Sequence, residues 1–354
     1  MKLQKRAFIQ SVICGAALLP GNAVFAENVT ADDFDFSADQ LANRLAVLTC
    51  STRTESWFGS GFVAELNGKK YIFTNQHVIL GADRITCKTA DGQPLRPRGI
   101  ELSKVRNLAR FEVDTDAAFP LSSDASMDEA VAVFGNEKGT PTEYFGRING
   151  VGADLIETTA EFTRENGGAP VLNADGAVIG MASHVRESRS HAMKEGTKFE
   201  DRTRRFCQRF NRVDWQTVNW KRFNTMFGKP YRQSEALINN TFDILVDWQN
   251  EPFKTVSLES GPDRGLNTWV SSHNAVMEKI VNNSNKRQKY SAYAESLQGL
   301  SEICASRARQ LQLLEGSREL TGFLRNEFSA QAAALDFAVK YIKRRGDTIH
   351  TFSN

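Results

Sequence analysis

The segment Thr74-Asn75-Gln76-His77-Val78 follows an apolar and aromatic run, Tyr71-Ile72-Phe73, and a second segment, Glu165-Asn166-Gly167-Gly168-Ala169-Pro170, places Gly167 ninety positions after His77. Both segments lie in a region, residues 40 to 185, of short Val, Ile and Phe runs with period-two alternation and glycine-bearing turns. Such a pattern predicts many short strands. We therefore expect His77 to lie just after a strand and Gly167 to lie in a turn.

These two segments resemble the histidine and nucleophile motifs of trypsin-like serine peptidases of the bacterial HtrA type, which read roughly T-N/A-x-H-V and G-N/D-S-G-G-P. Four further segments match the family in the same order. They are Gly59–Val63 before the histidine, Asn107–Phe111 at the triad acid, Val131–Asn136 as an apolar strand and Gly176–Ser183 along the substrate cleft. The resemblance covers about residues 40 to 190 and implies an all-β, chymotrypsin-like double β-barrel.

The resemblance assigns three residues to the positions of the catalytic triad. His77 keeps the histidine, Asn107 stands in place of the aspartate, and Gly167 stands in place of the serine. In the family mechanism a serine hydroxyl attacks the substrate carbonyl while the aspartate fixes the histidine tautomer. Because glycine has no nucleophilic atom in its side chain, the acyl-enzyme route is absent. Asp114 and Asp116 are alternative acids, but both lie on the wrong side of the motif.

The remaining site positions are also implied by the resemblance. Glu165 and Asn166 fall in the oxyanion loop, where the family has a glycine at the position of Glu165 and a carboxylate would oppose a developing oxyanion. Glu161 falls at the floor of the primary specificity pocket, with a solvated loop glutamate as the alternative. Ser183-His184-Val185 falls at the cleft edge with which a substrate peptide pairs as an added strand.

The N-terminus has the pattern of a secretory signal peptide over residues 1 to 26. A basic start with Lys2, Lys5 and Arg6 precedes an apolar stretch, Ala7–Leu19, and a small-residue cleavage site, Val24-Phe25-Ala26. The sequence thus predicts a bacterial periplasmic or secreted protein that begins at Glu27. The apolar stretch is too short for a membrane span, and no later stretch approaches the ~20 apolar residues that one needs.

Four cysteines follow the predicted leader: Cys50, Cys87, Cys207 and Cys304. An even number outside the cytoplasm predicts disulfides. Pairing within each half of the chain favours Cys50–Cys87 and Cys207–Cys304, with four buried thiols as the alternative. No two of these cysteines stand close in sequence with a histidine at ligand spacing. No metal and no cofactor is therefore expected.

The C-terminal part has a helical pattern. The chain of 354 residues is 41% apolar with a net charge of +2, which fits an ordinary globular protein of two or three domains. Apolar positions recur at three- and four-residue spacing along Leu297–Leu314, and similar patterns run through Tyr231–Trp248, Leu266–Val281 and Leu320–Ile342. We expect an α-helical domain over residues 231 to 354, its apolar stripes being packing surface.

The predicted domains are a peptidase-like domain over residues 27 to 190 and a basic, aromatic linker over residues 191 to 230. The peptidase-like domain divides into barrel one, about 40 to 113, and barrel two, about 114 to 190. The basic stretch from 186 to 232 carries many arginines together with Phe206, Phe210 and Trp220. We expect its aromatic residues to dock on a core, with an anionic partner as the alternative. Nucleic acid is not expected for an exported protein.

The function that these observations predict is that of an exported trypsin-like pseudopeptidase, a scaffold that binds a peptide or protein without cleaving it. The alternative is a residual or partner-activated hydrolase that uses His77 with another nucleophile. Ser183 is a poor candidate for that nucleophile, because the family keeps a serine there to support the acid.

Overall fold

The computed structural model describes residues 29–187, 203–250, 253–258 and 264–353. These residues form two compact units. The first holds the described residues up to Thr225 together with Thr321–Phe323, and the second holds the described residues from Met226 onwards apart from that short segment. The predicted leader, residues 1 to 26, and residues 188 to 202 of the basic stretch lie outside the described residues.

The first unit consists mainly of strands. In chain order they are β1 Leu45–Ser51, β2 Ser56–Leu66, β3 Lys69–Thr74, β4 Arg84–Thr89, β5 Pro94–Leu95, β6 Arg98–Ser103, β7 Ala109–Glu112, β8 Ala130–Glu137, β9 Thr140–Val151, β10 Leu155–Thr158, β11 Pro170–Leu172, β12 Val178–Glu187, β13 Thr203–Gln208 and β14 Trp215–Thr217. Three short helices accompany them: α1 Ala38–Leu41, α2 Gln76–Ile79 and α3 Trp220–Phe223.

The strands form two sheets. One is an eight-stranded sheet in the order β14-β6-β7-β3-β2-β1-β4-β5, and the other is a closed six-stranded barrel in the order β10-β13-β12-β11-β8-β9. Neighbouring strands within each sheet pair antiparallel. The prediction of many short strands over residues 40 to 185 is therefore confirmed.

Alternation of side chains explains how these strands build two cores. Val131 and Val133 of β8 pack in one apolar cluster, whereas Ala132 and Phe134 pack in the other. Successive side chains of a strand point to opposite faces, so a strand with both faces buried has a continuous apolar run. In the first sheet Phe62 pairs directly with Phe73 across β2 and β3, and their fully buried rings stack with centroids 5.6 Å apart.

The predicted linker is wrong for residues 203 to 217. Here β13 pairs with β10 and β12 to complete the barrel, and β14 pairs with β6 of the first sheet. The arginines of β13 made this segment look like a solvated linker in the sequence. In the structure Arg204 forms an ion pair with Glu157 of β10, so its charge is compatible with a place in the barrel. Phe210 packs against the core as expected, but from extended chain, whereas Trp220 lies on the short helix α3. Phe210 packs edge-on against Phe73, with centroids 5.1 Å apart.

The predicted disulfides are wrong, since all four cysteines are buried thiols in the structure. Cys50 lies opposite Ile85 and Cys87 opposite Leu48, so the two cysteines are diagonal neighbours. Diagonal neighbours have Cα atoms about 7–8 Å apart, beyond the ~4.4–6.8 Å that a disulfide usually spans. Cys207 belongs to β13 of the barrel rather than to the C-terminal domain, whereas Cys304 has its Sγ 3.7 Å from Thr241 Oγ1. The pairing within halves therefore assigned Cys207 to the wrong domain.

The second unit is helical. Its main helices are α4 Lys229–Asn250, α5 Arg264–Ile280, α6 Lys286–Glu315 and α7 Gly322–Ser353. The predicted stripe on α6 is buried at Leu297, Leu300, Cys304, Ala308 and Leu311, and is half-buried at Leu314. The predicted helical C-terminal region is confirmed. Within the described ranges, no helix combines the length and apolar character needed to cross a membrane.

Candidate functional site

The histidine lies on a short helix at the end of a buried strand. β3 ends at Thr74, Asn75 is the residue before α2, and His77 is the second residue of that helix. The two residues before His77, Asn75 and Gln76, are fully buried, and their side-chain amides donate hydrogen bonds to the loop that follows β6. Asn75 Nδ2 donates to the carbonyl of Asn107 at 2.8 Å. This loop is thereby fixed against the histidine helix.

Asn107 fixes both the backbone and the ring of His77. The backbone N–H of His77 donates to Asn107 Oδ1 at 3.2 Å, which orients the amide so that Nδ2 faces His77 Nδ1 at 2.7 Å. An amide nitrogen can only donate, so Nδ1 accepts and the ring hydrogen of the neutral imidazole lies on Nε2. An aspartate would impose the opposite tautomer. The outer nitrogen of His77 is therefore a donor and not a base.

Gly167 lies directly in front of that outer nitrogen. A Cβ atom on Gly167 would lie 2.8 Å from His77 Nε2, 3.2 Å from His77 Cε1 and 3.3 Å from Asn75 Oδ1. The structure thus brings His77, Asn107 and Gly167 together, with the glycine where a nucleophile would face the imidazole. The next residue, Gly168, has φ +94°, and a Cβ there would lie 2.1 Å from the carbonyl oxygen of Ser60. Only glycine fits at that position.

Hydroxyl groups near the site are engaged elsewhere. Ser183 Oγ accepts from Asn107 Nδ2 at 3.4 Å, the same nitrogen that faces His77 Nδ1. Ser60 Oγ accepts from the backbone N–H and the side-chain amide of Asn136, at 2.9 and 3.0 Å. Thr74 Oγ1 donates to the carbonyl of Ser60 at 2.8 Å. Each of these hydroxyls supports the architecture around the site.

The loop before Gly167 is a closed 3-10 turn, Arg164–Asn166. The N–H of Gly167 donates to the carbonyl of Arg164 at 3.3 Å, and the N–H of Glu165 donates to Thr163 Oγ1 at 3.3 Å. Those are the two N–H groups that an oxyanion hole at this position would use, and both donate inside the turn. The Asn166 side chain is buried and closes the turn, with Oδ1 accepting from the N–H of Thr163 at 2.8 Å. Glu165 itself is exposed.

The other expected cleft residues have separate environments. Glu161 is exposed, in agreement with the alternative of a solvated loop glutamate, while its neighbour Phe162 is buried in the barrel core. Val185 is also buried in that core. His184 stacks on Phe206 with ring centroids 4.9 Å apart. Burial, assisted by the charge of Arg186, lowers the pKa of His184 to about 4.

β12 extends beyond its partner on one side. β11 pairs with β12 up to Met181, and the last backbone bonds on that side run from the N–H of Ala182 to the carbonyl of Ala169 and from the N–H of Gly168 to the carbonyl of Ala182. On its other side β12 continues with β13 as far as Glu187. Among the described residues, no strand pairs with the β11 side of β12 beyond Ala182. Ser183-His184-Val185 therefore forms part of a strand edge close to Asn107.

Three arginines of the basic stretch have structural partners. Arg204 makes two hydrogen bonds to the carboxylate of Glu157, and Arg205 Nε donates to the carbonyl of Phe162 at 3.0 Å. Arg209 donates to the carbonyls of Gly152 and Ser123, at 2.8 and 2.5 Å. In the part of the chain that the structure describes, no group of three His, Cys, Asp or Glu side chains could hold a metal ion.

Sequence reasoning missed Gln76 as a site residue. Its side chain is completely buried and donates to the carbonyls of Ser103 and Arg106 at 2.9 and 2.8 Å. The only signal in the sequence is a pair of amide residues, Asn75 and Gln76, between a buried strand and the histidine. Buried amides need partners, but the sequence does not identify those partners.

Comparisons with known proteins agree with this geometry. Residues 59–181 match the family model for the trypsin-like peptidase domain. The serine protease Do-like HtrA of Bacillus subtilis is 31% identical over 155 residues, covering 38% of this chain and 34% of that protein. A probable periplasmic serine endoprotease, DegP-like, of Rickettsia conorii is 35% identical over 147 residues, covering 36% of this chain and 28% of that protein. The aligned part thus spans about a third of the length of these curated relatives.

A similar solved structure is the active form of the Rv3671c protease from M. tuberculosis. It is 17% identical with a TM-score of 0.41, over 55% of this chain and 90% of that one. The expected fold class is confirmed, as a trypsin-like β-barrel domain followed by several helices. The first unit of this chain contains a trypsin-like peptidase domain with homologues among the HtrA and DegP-like serine proteases.

Proposed function

We propose that this protein is an exported pseudopeptidase whose peptidase cleft binds a peptide or protein segment without cleaving it. The observation that carries the proposal is the position of Gly167 in front of His77 Nε2, where a Cβ atom would lie 2.8 Å from the ring nitrogen. This is the place that the mechanism of serine peptidases gives to the nucleophile. The protein would therefore keep the architecture of a peptidase while lacking its attacking atom.

Two further features support a loss of catalysis. Asn107 leaves the ring hydrogen of His77 on Nε2, so that nitrogen cannot accept a proton from an incoming water or hydroxyl. In a serine-protease triad, the change from aspartate to asparagine costs about 10⁴ in turnover for the same reason. The N–H groups of Glu165 and Gly167 donate within their own turn, and removing one oxyanion donor costs about 10²–10³ in turnover. Both features also argue against the alternative, a residual hydrolase that uses His77.

A binding role is supported by the edge of β12. A peptide that adds a strand to a sheet gains backbone hydrogen bonds that require no catalytic group. The β11 side of β12 beyond Ala182 offers such an edge, and Asn107 Nδ2 lies 3.4 Å from Ser183 Oγ at its beginning. Because several relatives are named serine endoproteases, we propose an extended segment of an unfolded or flexible polypeptide as the ligand.

Export is part of the proposal. Residues 1 to 26 have the sequence pattern of a secretory signal peptide, and relatives from Rickettsia, Halomonas and Haemophilus are named as periplasmic. The basic stretch remains a weaker candidate for an anionic partner, because Arg204, Arg205 and Arg209 already hold partners within the barrel unit. We favour the cleft over that stretch as the place of binding.

Hydrogen exchange with and without an unfolded polypeptide tests the proposal. Reduced and alkylated casein fragments, added to the protein from Glu27 onwards, should slow amide exchange in Ser183–Arg186 and in the turn around Arg164–Gly168. The amides of β4 and β5, at the far end of the eight-stranded sheet, provide the internal control and should not change. Binding with protection confined to other segments, or no binding at all, would overturn the proposed role of the cleft.

A further inference from the structure

A segment far along the chain belongs to the histidine site. Gln76 Oε1 accepts a hydrogen bond of 3.0 Å from Thr321 Oγ1, across 245 positions of sequence. Both residues are fully buried. The other end of the same Gln76 amide donates to the carbonyls of Ser103 and Arg106. One amide thus joins the histidine helix, the loop that leads to Asn107, and Thr321.

The neighbour of Thr321 contacts the same loop directly. The N–H of Gly322 donates to the carbonyl of Lys104 at 2.6 Å. A Cβ on Gly322 would lie 3.2 Å from the Cα and 3.3 Å from the carbonyl oxygen of Val105, so the backbones pack closely there. Accordingly, Thr321–Phe323 groups with the strand-rich first unit, although the residues on either side group with the second.

We propose that Thr321 is a positioning residue for the pair formed by His77 and Asn107. Its hydroxyl holds the Gln76 amide in the one orientation that presents Nε2 to both loop carbonyls and Oε1 to a donor. Without that hydroxyl, Gln76 Oε1 loses its donor in a buried place, which favours rotation of the amide and release of the loop. Asn107 directly follows Arg106, so release of the loop loosens the contacts of Asn107 with His77.

The consequence is that the site depends on residues outside the segment that matches the peptidase family. That match ends at Met181, whereas Thr321 lies at the start of the last helix. This inference concerns the geometry of the site and does not require that the cleft bind a peptide. Its test is therefore made on the protein without a ligand, and failure of the proposed binding function would leave the result unchanged.

The test compares Thr321→Val with Thr321→Ser in the protein from Glu27 onwards. Valine keeps the shape but removes the hydroxyl, whereas serine keeps the donor. Thr268→Val in α5 is the matched control, because the exposed Thr268 Oγ1 donates to the carbonyl of Arg264 one turn away in its own helix. The readouts are the imidazole ¹⁵N and ¹H signals of His77 and the amide exchange rates of residues 103 to 107.

The inference predicts a local effect of the valine variant. Exchange in residues 103 to 107 should accelerate about tenfold, equivalent to ~1.4 kcal/mol, and the His77 imidazole signals should shift or broaden. Thr321→Ser should restore both, and Thr268→Val should change neither. If Thr321→Val does not fold, Thr321→Cys replaces it, because cysteine has a similar volume and only a weak donor. Its exchange rates and His77 signals should change in the same direction as expected for valine, but less. Unchanged His77 signals in a folded valine or cysteine variant, or acceleration spread evenly over all strands, would show that Thr321 serves stability alone.

Discussion

A Cβ atom on Gly167 would lie 2.8 Å from Nε2 of His77, closer than such atoms approach in folded proteins. The imidazole therefore packs against the glycine itself, so a side chain of any kind at this position, and not only one with a hydroxyl group, would meet the ring. Because Gly167 has φ −50°, any residue could adopt its backbone conformation. His77 is what excludes a side chain at this position.

The first prediction concerns that exclusion. Gly167→Ala should lower the free energy of unfolding by about 1–3 kcal/mol, the usual cost of overpacking a filled site. In a His77→Ala background the same substitution should cost much less, because the clashing ring is gone. Urea unfolding of the four proteins of this double-mutant cycle measures the coupling. Additive effects within ~0.3 kcal/mol would show that the ring does not oppose a side chain at Gly167.

The second prediction concerns the tautomer of His77. The neutral ring should carry its hydrogen on Nε2, because Nδ1 accepts from Asn107 Nδ2 at 2.7 Å. Asn107→Asp should move that hydrogen to Nδ1, since a carboxylate can only accept. Imidazole ¹⁵N chemical shifts distinguish the two forms directly. A hydrogen on Nδ1 in the unmodified protein would require the Asn107 amide to be turned around, which would leave the His77 N–H facing a donor.

The sequence predicted the strand-rich peptidase-like unit well because its signals are local. A glycine turn, an apolar strand and a histidine motif each occupy a few consecutive residues, and their order along the chain is itself informative. The order of the motifs also identified Asn107 as the partner of His77, although the segment between Asn107 and Gly167 contains acids such as Asp114 and Asp116, both exposed in the structure.

The predictions that were wrong or incomplete concern residues whose partners in the fold are distant in sequence. β13 looked like a linker because the partner of Arg204 is Glu157, on a strand that the sequence does not place beside it. The cysteine pairing failed because sequence proximity does not reveal that Cys50 and Cys87 are offset diagonally between β1 and β4. Gln76 and Thr321 could not be paired from the sequence, since a hydrogen bond between them leaves no periodic pattern.

The third prediction is a pH dependence from His184. Burial holds the pKa of this imidazole at about 4 in the folded protein, against about 6.5 for an unperturbed histidine. The unfolded chain therefore takes up a proton first as the pH falls. The contribution of neutral His184 to the free energy of unfolding is fully present above about pH 6.5 and is lost as the pH falls towards 4. The loss is at most about 3 kcal/mol, because solvent reaches part of this residue and screens the charge.

An NMR titration of the His184 ring and urea unfolding at pH 7 and pH 4.5 check this expectation. His184→Gln, which keeps a planar polar side chain but does not titrate, should lose less stability between the two pH values than the unmodified protein does. A midpoint near pH 6.5 for His184 would contradict the burial of its ring against Phe206.

The fourth prediction concerns the cysteines. Protein purified from a bacterial periplasm and unfolded in urea without reductant should alkylate at Cys50, Cys87, Cys207 and Cys304. Before unfolding, Cys87 and Cys207 should react slowly, because burial raises the pKa of Cys87 to about 12 and that of Cys207 further still, and the thiolate is the reactive form. Mass spectrometry counts the labels. If any of these cysteines were alkylated only after reduction, that cysteine would be in a disulfide and the prediction would be wrong.

Labelling with a fluorophosphonate probe, followed by cleavage assays on unfolded casein, decides whether this cleft lacks peptidase chemistry. The protein from Glu27 onwards and its His77→Ala variant should both remain unlabelled, and casein should stay intact in both, because Gly167 offers no attacking atom and His77 Nε2 offers no base. A covalent label on any cleft residue, or casein cleavage that disappears with His77→Ala, would contradict the account of this protein as a pseudopeptidase.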